Sequence, residues 1–177
     1  MLGLFRKDKK IEKLKSSAES GNTEAQYSLG SMYYYGDEVE KNIDEAVKWI
    51  KRSAENGYSC GQLLMGAMYA TGDGVERDME ESVRWFKLAA ENGDVSAQST
   101  LGHVYHDGEF AERDYNESVK WFRMAAEDGF PEGEFRLGIA YSEGKGVQRD
   151  PVEARKWIEK AAKKKHEGAV EHLKKYG

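Results

Sequence analysis

Small and apolar residues recur along the chain at offsets of 4, 5 and 8: Ala25, Leu29, Gly30 and Tyr33, then Gly61, Met65, Gly66 and Tyr69. The same set returns as Ala97, Leu101, Gly102 and Tyr105, and again as Gly133, Leu137, Gly138 and Tyr141. These spacings place each set on one face of an α-helix, and they predict helices over about residues 23–35, 59–71, 95–107 and 131–143. A glycine follows each (Gly36, Gly72, Gly108, Gly144), suited to a left-handed C-terminal cap. A second pattern, Ala46-Trp49-Ile50-Ala54 and its counterparts, predicts a second helix after a short loop. It opens on Asn42, Asp78, Asp114 or Asp150, with Glu45, Glu81, Glu117 or Glu153 three residues on, the spacing of a capping box. Gly57, Gly93 and Gly129 close the first three of these helices, whereas Lys165 stands at the fourth position and predicts a less sharp or longer ending.

The period is 36 residues, and all four tryptophans (Trp49, Trp85, Trp121, Trp157) fall on it. A strict period in this range marks stacked supersecondary units, none of which buries its apolar face alone. The glycine within each first helix costs about 1 kcal/mol relative to alanine, which implies close helix packing there. The chain therefore divides into repeats 21–56, 57–92, 93–128 and 129–164 between an N-terminal capping helix (1–20) and a C-terminal one (165–177). In the first cap, a helix over 7–19, Ile11, Leu14 and Ala18 take the places of Val47, Ile50 and Ala54, while the tryptophan position is Lys13. In the second, Ala169, Val170, Leu173 and Tyr176 begin a fifth first helix. The expected fold is all-α, a single solenoid of stacked antiparallel helix pairs with about ten helices and no strands.

Charge narrows the choice of partner. Residues 1–15 carry six Lys/Arg against two acids and residues 155–177 eight against three, so within a net charge of −5 the intervening stretch carries −14. An acidic centre excludes the basic stripe that nucleic-acid binding needs. The basic ends are solvated caps, or at most a weak contact with an anionic surface. Cys60 is the only cysteine, so no intrachain disulfide forms, which favours the cytoplasm. No apolar run suits a signal peptide or a membrane span.

The recurring Ala-x-x-Gly-x-x-x-Ala-Gln-x-x-Leu-Gly-x-x-Tyr, seen whole in residues 90–106, and the loop Gly72-Asp-Gly-Val-Glu-Arg-Asp78 resemble the SEL-one-like repeat, a relative of the tetratricopeptide repeat. The resemblance covers residues 18–165 and departs from the pattern at Glu38 and Phe110, where the loop's second glycine belongs. It implies a right-handed α-solenoid whose first helices line a concave groove, in proteins that serve as adaptors and scaffolds. Similar bacterial proteins act in host contact or as immunity proteins against secreted toxins.

Positions of the first helix that change from repeat to repeat are candidates for recognition, because positions serving the stack must stay alike. The candidate groove comprises Tyr27, Ser31, Tyr34 and Tyr35; Leu63, Leu64, Ala67 and Thr71; Ser99, His103 and His106; and Phe135, Arg136 and Ile139. Aromatic residues and Arg are frequent interface hot spots, although Leu63 and Phe135 equally suit packing between neighbouring first helices. His103 and His106 share a helix face with Asp107, yet no close third ligand completes a metal site, and no nucleophile–base set or phosphate loop occurs. We expect a monomer without metal, cofactor or catalysis that binds another protein: an adaptor clamping a partner segment, or alternatively an immunity protein or inhibitor blocking a basic target with its acidic surface.

Overall fold

The computed structural model describes residues 2–176, with side chains from residue 9 onward; Met1 and Gly177, the outer ends of the predicted caps, lie outside the described residues. The described residues form ten helices, in order α1 (Leu2–Glu19), α2 (Thr23–Tyr35), α3 (Ile43–Glu55), α4 (Ser59–Thr71), α5 (Met79–Glu91), α6 (Val95–Asp107), α7 (Tyr115–Glu127), α8 (Pro131–Glu143), α9 (Pro151–Lys163) and α10 (Glu167–Tyr176). The described residues contain no strand. Helix α1 starts earlier than the apolar spacing alone indicates, at Leu2 rather than near residue 7. The chain forms two compact units, Met1–Asn92 and Gly93–Gly177, and their junction coincides with the boundary between the second and third repeats.

In each unit, first and second helices pack as pairs: α2 with α3 and α4 with α5, then α6 with α7 and α8 with α9. The recurring glycine makes the pairing close. A Cβ at Gly30 would lie 2.6 Å from Ile50 Cγ1, and one at Gly66 2.5 Å from the Phe86 ring. The core follows the repeated positions, with Ala46, Ile50, Ala54, Met65, Met68 and Trp85 clustered in the first unit and Val119, Phe122, Ala126, Leu137 and Trp157 in the second. α1 and α10 close the two ends with Ala18 and Ala169, both fully buried.

The caps are half of what the sequence predicts. Asn42, Asp78, Asp114 and Asp150 each accept the amide of the Glu three residues on, but those glutamates do not return the bond. The cap N–H groups are already engaged by the tyrosine carbonyls of the first helices: Asn42 to Tyr33, Asp78 to Tyr69, Asp114 to Tyr105 and Asp150 to Tyr141, at 2.9–3.0 Å. The carboxylates of Glu45, Glu81, Glu117 and Glu153 instead pair with Lys48, Arg84, Lys120 and Lys156 one turn on, at 2.9–3.1 Å. The reciprocal half of a capping box is thus displaced by a tertiary hydrogen bond that fixes the loop to the first helix.

The fourth second helix neither lengthens nor frays. α9 has 13 residues like its counterparts, and Lys165 adopts φ 64°, the left-handed conformation that glycine holds in the other repeats. Glu38 likewise takes φ 62° where the second and fourth loops have Gly74 and Gly146. Among the described residues no other non-glycine has positive φ, so the loop containing Phe110 follows a different path.

Candidate partner-binding surface

In the first unit, the repeat-variable positions of α2 and α4 include a braced aromatic group. The Tyr34 hydroxyl donates to Asp73 Oδ2 at 2.6 Å, in the loop of the following repeat. Tyr35 meets the Tyr34 ring edge-on, with centroids 5.0 Å apart, while remaining 70% exposed. The hydrogen bond to Asp73, with partial burial, pushes the Tyr34 phenol up to about 12, since the charged form cannot donate. Leu64 packs against the core of this unit, and Tyr27 meets Tyr58 at 5.5 Å. Thr71 is exposed, with its hydroxyl on the Ala67 carbonyl; Ser31, Leu63 and Ala67 are half-buried.

The second unit has a different centre. Glu132 accepts from His103 Nε2 at 3.2 Å, Arg136 Nε at 2.6 Å and His166 Nε2 at 2.7 Å. The His103 bond, with those of Arg136 and His166, holds the Glu132 carboxyl far below the usual carboxylate range in spite of its partial burial. His106 turns away from His103 to Asp107, at 2.7 Å, and its bond holds the Asp107 carboxyl low. The two histidines of α6 therefore serve different acids, and no group of three His, Cys, Asp or Glu among the described residues is arranged to hold a metal.

In the second unit, too, predicted groove positions are engaged in packing. Ser99 is only 5% exposed and offers no side chain to a partner. Phe135 and Ile139 pack against the cluster of Ile158, Ala161 and Ala169, and the Phe135 ring lies 4.8 Å from that of His166. The recurrence explains this: Tyr27 and Phe135 occupy the same repeat position, and each meets the residue 31 places on, Tyr58 or His166. That position joins neighbouring first helices. Tyr35, His106 and Arg136 remain open, the last two with side chains 42% and 41% exposed.

Sequence reasoning missed a polar pair that recurs in every repeat. Asn56 donates to Gln26 at 3.3 Å and Asn92 to Gln62 at 2.9 Å. Gln98 bonds Asp128 at 3.4 Å, and in the fourth repeat Lys164 Nζ lies 2.8 Å from Glu134. The signal lay in the constant spacing of 30 residues and in a chemistry that changes jointly at both ends. Glu132 shares α8 with Arg136, four residues on, but His103 lies on α6 and His166 between α9 and α10, which helical spacing within α8 cannot reveal.

No helix among the described residues is long and apolar enough to cross a membrane. A family model described as Sel1 repeat matches residues 23–58, 61–94, 95–130 and 131–166. Among solved structures, a protective antigen present in uropathogenic Escherichia coli strains and displaying an SLR fold is 44% identical, with a TM-score of 0.88, over 92% of this chain and 35% of its own. A Sel1 repeat protein from Oxalobacter formigenes is 34% identical, with a TM-score of 0.89, over 94% of this chain and 48% of its own. The chain thus spans about a third to a half of the length of these relatives. An immunity protein from Pseudomonas aeruginosa, 20% identical with a TM-score of 0.55 over 85% of this chain and 56% of its own, shares the fold alone. No curated protein matches in sequence.

Proposed function

The chain belongs to the Sel1 repeat family, whose members are generally protein-interaction modules, and on that premise we propose that it is a non-enzymatic adaptor holding a segment of another protein on its first helices. The braced pair of Tyr34 and Tyr35 carries this reading. An exposed ring whose neighbour is already fixed by Asp73 offers apolar area at little entropic cost on binding, as interface anchors do. Within the same unit the chemistry of the first helices changes from these aromatics to half-buried Leu63 and exposed Thr71 in the second repeat. Such variety suits a partner read at successive points. A single cysteine accords with a cytoplasmic setting.

The test is affinity capture from the source cell, followed by titration of the captured protein and of peptides tiled along it. Binding of one short peptide, weakened by Tyr35→Ala, supports the adaptor. Binding that needs the folded partner and follows the −14 charge of the central stretch supports the second reading, an inhibitor or immunity protein, because a broad acidic surface complements a basic target. Binding unaffected by either change would remove both readings.

A further inference from the structure

Aromatic rings of the first unit repeatedly carry a cation on the face. Lys41 stands over Tyr34 at 5.8 Å, Lys48 and Arg52 over Trp49 at 5.6 and 5.7 Å, and Arg84 over Trp85 at 5.6 Å. Tyr35 departs from this: its side chain is 70% exposed, and among the described residues no cation lies over its ring. The exposure belongs to the repeat position, since Thr71, its counterpart in the second repeat, is exposed with a complete repeat before it. The surroundings are acidic. The loops over residues 36–42 and 72–78 carry six acids against two bases, Lys41 and Arg77. Both bases are engaged, Lys41 on the Tyr34 ring and Arg77 with the Ala70 carbonyl at 3.1 Å. Exposed Asp73 accepts the Tyr34 hydroxyl on Oδ2 alone.

We propose that the Tyr35 ring seats an arginine side chain of the bound partner segment, with the loop carboxylates supplying the counter-charge. The proposal rests on the adaptor reading above and names the chemistry that its partner brings to this surface. An aromatic face attracts a cation through its quadrupole, and the neighbouring rings of this unit already hold cations in that way. Arginine suits the position better than lysine, because its planar guanidinium stacks on a ring and keeps N–H groups at its edge for a carboxylate. The carboxylate is held ready. Tyr34 fixes Asp73, and Tyr35 rests against Tyr34 with centroids 5.0 Å apart, so few groups lose freedom on binding. An acidic segment would meet like charge from both loops. A second copy fits poorly: its basic stretch, residues 155–177, has a single arginine, Arg155, which already donates to Glu159 at 2.9 Å.

The test pans a phage-displayed library of short random peptides on the full chain and on its Tyr35→Phe, Tyr35→Leu and Asp73→Asn variants. Peptides that need residue 35 should be rich in arginine, keep binding to Tyr35→Phe, and lose it with Tyr35→Leu, which retains apolar area but not the ring's quadrupole. In the strongest of them, replacing the arginine by citrulline, of the same shape without the charge, should weaken binding about tenfold at low salt in fluorescence anisotropy, and less as salt is raised. Asp73→Asn still accepts the Tyr34 hydroxyl, so it should weaken the arginine peptide and leave the citrulline peptide unchanged. Peptides that depend on the ring but lack arginine, or arginine peptides that bind Tyr35→Leu as well as wild type, overturn the proposal and leave the adaptor reading standing. The absence of any peptide dependent on residue 35 removes the anchor of that reading and the proposal with it. Self-association of the wild-type chain in sedimentation, abolished by Tyr35→Leu, would give the ring to a second copy and overturn the proposal as well.

Discussion

Tyr34 and Asp73, 39 residues apart in sequence, share a hydrogen bond of 2.6 Å that ties the last turn of one first helix to the loop of the next repeat. The phenol donates only while protonated, and its pKa is raised to about 12. The stabilisation is therefore fully present below the ordinary tyrosine pKa of about 10 and is lost as pH rises through about 12. Absorbance titration at alkaline pH should show one tyrosine ionising late, and Asp73→Ala should return it to the ordinary range. A titration unchanged by Asp73→Ala would contradict the contact.

Glu132 has the opposite sign. Its pKa is depressed, so its contribution is present above the unfolded value of about 4.3 and fades as pH falls below that. Urea denaturation should show Glu132→Gln less stable than wild type at pH 7, with the gap narrowing steadily toward pH 3. A gap that stays constant would show that the carboxylate is not what His103, Arg136 and His166 are holding.

Phe135 and Tyr35, both named from their variable positions, should separate in a stability assay. Phe135→Ala removes a ring packed beneath the C-terminal helix and should cost about 2–3 kcal/mol. Tyr35→Ala, at 70% exposure, should cost less than about 0.5 kcal/mol. Thermal melts of the two variants side by side test the assignment of one to the core and the other to the surface.

The carboxylate of Glu134 is buried, with a side chain 3% exposed, and depends on Lys164, whose own side chain is 43% exposed. Lys164→Ala leaves that charge without its cation and should destabilise by about 2–3 kcal/mol, below the range for a fully buried pair because water reaches the lysine. Changing both residues to the second repeat's chemistry, Glu134→Gln with Lys164→Asn, should restore most of the loss. A double variant no better than the single one would show that the pair does not act as a unit.

These cases show what local sequence specifies in this fold. Helix ends were legible because each depends on a few consecutive residues: a side chain accepting the amide three places on, or a glycine at positive φ. The missing half of the capping box was not legible, since the cap N–H is taken by a tyrosine nine residues earlier in the preceding helix, and that competition exists only once the two helices pack. At the surface, variability was a fair guide to exposure for Tyr35 and a poor one for Ser99 and Phe135. A position between neighbouring first helices can change residue type whenever its counterpart one repeat on changes too.

The Gln26–Asn56 pair and its three counterparts close within their own repeats. A crossover at a repeat boundary, as between residues 128 and 129, moves Glu134 and Lys164 together and leaves no charge stranded. A crossover in a loop, between α8 and α9, delivers Glu134 without Lys164 and sets a buried carboxylate opposite whatever the other parent supplies. Recombination among such arrays, in evolution or in a shuffled library, should therefore preserve folding at boundaries 36 residues apart and fail more often between them.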